Sequence, residues 1–313
     1  MRRLILQRLL LSLPLPFIVS GLTFVMVALT PGDVAQSILG GNATRQQYLA
    51  VRRQLGLDEP LWSRYGDWLS GAVRGDFGNS LVSGESVTSL LDARLGPTLS
   101  LVIGSTLLAT VAGMLLGLVG ALRGGLLGRI VDASSLVGLA LPNFWLGLML
   151  ISWFAVALRW LPTSGYVPLT DSVSGWFSSL VLPVVTLAAP GTAMVAKQAR
   201  DAVRDTMQKP FMRTLRAAGL SRRSLLLRHM LRNAAVPVVT VMGLLFVGAL
   251  SGTVIAESVF AIPGLGGTAQ QATVVQDVPL VLGVAVYFTL IVIVVNLLVD
   301  IAYGWLDPKV RVS

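Results

Sequence analysis

From Leu280 to Val299, twenty consecutive residues carry no charged side chain. About 20 such residues are what a helix needs to cross the hydrocarbon core of a bilayer, and only helices and closed barrels cross it with every backbone polar group satisfied. The pattern recurs, with candidate spans at 9–30, 99–121, 133–158, 179–196, 236–256 and 280–304. The expected fold class is all-α: a polytopic membrane protein with about six transmembrane helices. Composition agrees, because 12% of residues are charged where soluble domains carry about 25%.

The net charge of +9 reads as topology. A nucleic-acid surface needs a soluble fold to carry it, and the apolar spans leave no room for one. Arg2, Arg3 and Arg8 precede span one, Arg123 and Arg129 follow span two, and Lys309 and Arg311 follow span six. Ten more basic residues, from Lys197 to Arg232, separate spans four and five, against Asp201 and Asp205 alone. With six spans all these segments fall on one side, which the positive-inside rule makes cytoplasmic. Both termini are then cytoplasmic in a multi-pass protein of the cell membrane. The first apolar run continues to Leu29, too long for a signal peptide, so a retained anchor is expected.

The chain divides into a basic segment with the first span (1–30), an extracytoplasmic region (31–98) and a five-helix membrane core (99–313). Between 31 and 98, Tyr48, Val51, Leu55, Leu61, Tyr65, Trp68 and Leu69 recur at helical spacing, interrupted by Gly56 and Pro60. Short helices on the membrane surface are expected, with Trp62 and Trp68 suited to the interface. Pro183 and Pro190–Gly191 interrupt span four, and Pro142–Asn143 interrupts span three. Such breaks mark a path or hinge, or serve packing, and the sequence is even between these readings. Span four is expected inside the bundle.

What the sequence lacks excludes several functions. There is no cysteine and one histidine, His229, so structural zinc, thiol catalysis and a Ser/His/Asp set are excluded as sites; no catalytic or metal-ligating residue is expected. The apolar cores hold no Asp, Glu, Lys, Arg or His before Asp300, which speaks against a proton relay. No phosphate-binding G-x-x-x-x-G-K-[ST] loop occurs, so the chain has no such site for ATP.

The loop 197–236 holds most of the charge and has helical pattern. In "KPFMRTLRAAGLSRRSLLLRHMLRN" (209–233), Pro210 suits a first helical turn, Gly219 a left-handed C-terminal cap and Ser221 the cap of a second helix. Phe211, Met212 and Leu215 give the short helix apolar contact surface, and Arg213 and Arg216 give it donors. Orientation alone needs only a few charges, so the helix-glycine-helix plan reads as a docking knob, against the simpler possibility that the arginines fix topology and touch anionic lipid. Glu257, ahead of Pro263 and Gly264, is a candidate outer gate or an ordinary helix-end residue.

The passage resembles the cytoplasmic signature loop of binding-protein-dependent ABC importer permeases, in its peptide/nickel branch. The residues concerned are Arg213, Thr214, Arg216, Ala217, Gly219, Leu220 and Ser221, then Arg228, His229, Leu231, Arg232, Asn233 and Ala234. "TPGDVA" (30–35), "LGLDEPLWSRYGDWL" (55–69), "RGDFGNS" (74–80), "ESVFAIPGLGG" (257–267) and "NLLVDIAYGWLDPKVR" (296–311) look like the first of two permeases in such importers. Arg213 stands where the broad family has glutamate, Arg232 where it has proline, and Gln276 where the branch has a basic residue. The resemblance implies a short-peptide importer in which residues 211–221, from Phe211 to Ser221, form an ATPase-coupling helix. It further implies a second, homologous permease, two ATPase subunits that bind ATP and Mg, an extracytoplasmic substrate-binding protein, and no cofactor in this chain. The readings from other classes are a membrane scaffold and an ion-coupled carrier. The substrate could be a dipeptide, oligopeptide, nickel chelate, glutathione or sugar.

Overall fold

The computed structural model describes residues 2–30, 32, 34–40, 44–123, 125, 128, 133, 138, 140–221, 224–225 and 231–306, with the side chains of 2–5, 213, 216, 231–236 and 305–306 excepted. Among the described residues the elements are helices: α1 (Arg2–Ser12), α2 (Pro14–Leu29), α3 (Val34–Leu39), α4 (Arg45–Gln54), α5 (Leu61–Ala72), α6 (Val87–Arg123), α7 (Asn143–Leu150), α8 (Val173–Gln208), α9 (Pro210–Ala217), α10 (Leu231–Phe260), α11 (Leu265–Val274) and α12 (Val278–Leu306). Five stretches are long and apolar enough to cross a bilayer, Leu6–Leu29, Val87–Arg123, Val173–Gln208, Pro237–Phe260 and Val278–Gly304. The third expected span is seen as a shorter apolar helix, Asn143–Ala157, which starts after Pro142 and widens into π-helix over Ile151–Ala157. Residues 134–137 and 139 of its expected beginning lie outside the described residues.

The chain forms two compact units, one of residues 1–6, 99–262 and 295–313, the other of 7–98 and 263–294. In the first unit, α7, α8 and α10 pack together around Leu180, Leu187, Ala256 and Phe260. Ser172 caps α8 by accepting from the Gly175 N–H. The helix then runs unbroken through Pro183 and Pro190. Each proline removes one backbone donor, which a helix buried among neighbours tolerates. In α8, 61% of its most apolar stretch is buried, against 17% for Leu6–Leu29, so α8 lies inside its unit and α2 is largely exposed. Gly113 and Gly117 of α6 meet α8 at backbone distance: a Cβ on Gly117 would stand 2.5 Å from the Ala196 carbonyl oxygen. Small residues four apart let membrane helices approach this closely.

The second unit is organised by aromatic side chains. Phe24, Tyr65, Trp68, Phe77 and Tyr287 follow one another with ring centroids 5.4 to 6.2 Å apart, and the chain ends where the Tyr287 hydroxyl donates to Asp92 at 2.7 Å. The Tyr65 hydroxyl also reaches the Phe17 carbonyl and the Ser20 hydroxyl, fastening α5 to α2. Trp68 is therefore tied into the unit, its indole N–H donating to the Phe77 carbonyl, whereas Trp62 is 80% exposed.

The α11–α12 turn is held by a buried carboxylate. Asp277, 1% exposed, accepts from the Ser80 hydroxyl and, at 3.1 Å, from the Leu81 N–H. Gln276 beside it adopts φ +57° and donates its amide to the Thr30 carbonyl. Replacing Asp277 by alanine orphans both donors, a loss of about 1–3 kcal/mol. We expect Asp277→Ala to speed proteolytic cleavage within residues 79–86 several-fold, and cleavage at the wild-type rate would refute this clasp.

Candidate functional site

The basic loop is built from the end of α8 outward. The helix does not stop near residue 196 but continues to Gln208, so the first third of the expected loop is helix. Arg200 consequently lies buried, 7% exposed, apart from the solvent-facing charges with which the sequence groups it. Lys209 is extended (ψ 143°) and turns the chain. Pro210 opens α9, where its missing N–H costs nothing, and the Met212 N–H closes the turn on the Lys209 carbonyl at 3.0 Å.

The side chains of α9 divide by face. Met212 is 0% exposed and packs with Val203 and Leu225, against Leu118 and Ala121 of α6. Leu215 and Leu220 lean on the same cluster. Phe211 is 39% exposed, and Thr214, Ala217, Ala218 and Gly219 are exposed beside it. Met212 thus roots the helix in its own chain, leaving Phe211 as the large apolar group offered outward. The side chains of Arg213 and Arg216 lie outside the described ones, as do residues 226–230 with Arg228 and His229.

The end of α9 follows from one residue. Gly219 has φ +76°, and the Leu220 N–H reaches back to the Leu215 carbonyl at 3.3 Å, the left-handed glycine ending of a helix. Ser221 then accepts from the Ser224 N–H at 3.3 Å, as an N-terminal cap does.

A second feature lies deeper in the same unit. Asn143, Pro190 and Gly191, singled out in the sequence as breaks in two separate spans, line one cavity of about 310 Å³ together with Ser105, Thr106 and Gly248. No charged side chain lines it among the described residues. The Thr106 hydroxyl is buried without a hydrogen-bond partner among them. Ser105 and Thr106 carried no sequence signal, because lone hydroxyl residues are common in apolar helices.

The outer-gate candidates are placed separately. Glu257 is 2% exposed, within α10. Its carbonyl accepts from the Ile262 N–H at 2.9 Å, and Ala261 at φ +50° ends the helix. In the second unit, Gly264 caps α11, and Thr98 accepts from the Leu265 N–H at 2.8 Å. Gly264 thus stands directly before the helix α11.

This arrangement, an apolar helical bundle with a short helix exposed between two spans, is that of a transport-system membrane component. Residues 109–312 match the family described as the binding-protein-dependent transport system inner membrane component, and residues 1–102 match the N-terminal membrane component of such systems. The chain belongs to that family, and it is a multi-pass permease subunit of an importer. It is 38% identical over 308 residues to a probable peptide ABC transporter permease protein of Sinorhizobium fredii, covering 98% of each chain. It is 39% identical over 308 residues to the glutathione transport system permease protein of Escherichia coli K12, again covering 98% of each. Among solved structures, inward-facing conformations of the MetNI methionine ABC transporter match 70% of this chain and 96% of theirs, with a TM-score of 0.56 and 17% identity. That likeness concerns the fold alone.

Proposed function

We propose that this chain conducts short peptides across the cytoplasmic membrane as one of two homologous permeases, with α9 seated in a separate ATPase subunit. The observation that carries the reading is the rooting of α9: Met212 fixes it to the ends of α6 and α8, so a push on its exposed face moves two spans as well as a loop. α8 leads from α9 to Pro190 and Gly191 at the cavity wall, where a proline-weakened helix bends most readily. The uncharged wall suits cargo of varied side chain, so choice among peptides falls to an extracytoplasmic binding protein. The relatives named for peptide and glutathione transport support this substrate class.

In this reading residues 1–30 carry the basic segment and the first span, residues 31–98 face outward, residues 99–313 form the five-helix membrane core, and both termini and α9 are cytoplasmic. ATP and Mg are held by the two ATPase subunits. Phe211, Leu215, Arg213, Arg216, Ala217, Gly219, Leu220 and Ser221 form or hold the coupling surface, with Met212 as its anchor. Glu257, Pro263 and Gly264 act near the outer end of the path.

The test is reconstitution of the purified complex in liposomes with a candidate binding protein. Loaded binding protein is expected to stimulate ATP hydrolysis, and Phe211→Asp to remove most of that stimulation. A chain that purifies without an ATPase, or whose peptide uptake follows an ion gradient without ATP, would replace the importer assignment with the scaffold or carrier reading.

A further inference from the structure

A cavity of about 350 Å³ in the second unit belongs to none of the features above. Its floor is apolar, with Phe24 of α2, Trp68 of α5 and Leu282 of α12, and its charged lining is Arg64, Glu59 and Asp67. That volume lies within the range of small-molecule sites. Arg64 also lines a neighbouring cavity of about 250 Å³, which reaches Val27, Ala28 and Thr30 at the end of α2. One guanidinium therefore stands between two spaces.

These charges do not satisfy one another. The Arg64 guanidinium makes no hydrogen bond and no ion pair among the described residues, nor does the carboxylate of Glu59 or Asp67. Arg52, the nearest other guanidinium in the second cavity, is taken up by Asp58 at 2.8 Å. Arg64 is half-buried, whereas Glu59 and Asp67 are exposed at the rim. Burial above all holds Arg64 below the ordinary guanidinium value, with the charge of Glu59 opposing and that of Arg52 adding. A half-buried guanidinium that Glu59 attracts but does not hydrogen-bond has donors left for an anion.

The depth of the cavity indicates where that anion comes from. Phe24 lies five residues before Leu29, the end of the first span, about 7 Å along a helix axis. Leu282 lies four residues into α12. The cavity therefore begins at the membrane interface and dips below it. On the same stretch of α2, Leu22, Val25, Met26 and Leu29 are 50 to 76% exposed, an apolar surface that acyl chains can cover.

We propose that this cavity holds the headgroup of a zwitterionic phospholipid bearing a primary ammonium, of the phosphoethanolamine type. The phosphate meets Arg64 and the ammonium meets Glu59 and Asp67. The order of the charges carries the assignment: in such a lipid the phosphate lies nearer the acyl chains and the ammonium farther out. Here the cation is the more buried group and the carboxylates are the exposed ones. A trimethylated ammonium has no N–H to donate, so a phosphocholine lipid satisfies only half of the site. A phosphoglycerol lipid lacks the ammonium and places its headgroup beside two carboxylates.

The test is lipid retention by the full-length chain, purified in mild detergent and measured by native mass spectrometry. Matched short-chain phosphatidylethanolamine, phosphatidylcholine and phosphatidylglycerol are titrated, together with the water-soluble headgroup glycerophosphoethanolamine. Phosphatidylethanolamine is expected to bind at least tenfold more tightly than phosphatidylcholine. Arg64→Gln should weaken it about tenfold, and Glu59→Gln with Asp67→Asn should remove the preference over phosphatidylglycerol. Equal retention of the three lipids by the wild-type chain, a comparison that needs no variant, would reduce the site to ordinary annular contact. Glycerophosphoethanolamine binding as tightly as the lipid would also overturn the proposal, because the ligand would then be a soluble zwitterion.

Discussion

Gly117→Leu is expected to leave almost no intact permease. A Cβ at this position would stand 2.5 Å from the Ala196 carbonyl oxygen, 2.8 Å from the Ala199 Cβ and 3.0 Å from the Arg200 nitrogen. Two of those neighbours are backbone atoms of α8, so no rotamer change relieves the contact. The helices must separate, and close packing then fails along the seam that Gly113 continues. Overpacking costs about 1–3 kcal/mol where side chains can give way, and the cost here lies above that range. Leu118 and Ala121, just beyond on α6, also pack in the cluster that roots α9, so the damage reaches the coupling region. Thermal unfolding of the detergent-solubilised protein should show the effect, with Gly117→Ala already destabilised. Gly104→Ala is the milder comparison, since its Cβ would meet only the Val184 side chain, at 3.1 Å. A Gly117→Leu protein with the wild-type midpoint would contradict the close contact.

The outline of that seam could not be read from the sequence, although its ingredients could. Apolar length revealed the spans, and Pro210 and Gly219 announced the start and the end of the short helix in the loop, because each has a strong local preference. Side-chain direction had no such signal. Phe211 and Met212 are adjacent and equally apolar, yet one is outward and the other fully buried, and only the packing of α6 and α8 decides which. The length of α8 was hidden by its charges: Lys197 to Arg204 look like loop, but the helix simply carries them out of the apolar zone. Likewise α6 begins at Val87, twelve residues before its apolar run, because Asp92 and Thr98 find partners in Tyr287 and in the Leu265 N–H.

The turns show the same limit. Glycine marked the left-handed position at 219, but Ala261 and Gln276 take equally left-handed conformations at the ends of α10 and α11. Neither residue type advertises this. At Gln276 the side-chain bond to Thr30 supports the conformation, and such long-range partners are not visible in local sequence. The cavity between Asn143 and Pro190 was likewise present as two separate irregularities. Their meeting is a product of helix packing, which brings α7 and α8 together.

Gly219→Val tests the coupling proposal most sharply, because the residue is needed for its backbone and its side chain would meet nothing. At φ +76° an added Cβ has no heavy atom within 4 Å, so any effect comes from the backbone. Left-handed conformation costs an ordinary residue about 1–2 kcal/mol, and a β-branched one more. The spans are stabilised by packing far from this turn, so they should survive. The turn itself should not: losing the Leu220 to Leu215 bond frees the end of α9 and the cap at Ser221. Peptide uptake in liposomes is expected to fall at least tenfold, with basal ATP hydrolysis by the assembled complex retained and its stimulation by loaded binding protein lost. Gly219→Asn, which tolerates left-handed backbone, should recover much of the uptake. That ordering, asparagine well above valine at equal amounts of assembled complex, is what a conformational role requires. Equal uptake by all three forms would mean that the angle of α9 does not transmit the ATPase stroke, and the link from α9 through α8 to the cavity would have to be abandoned.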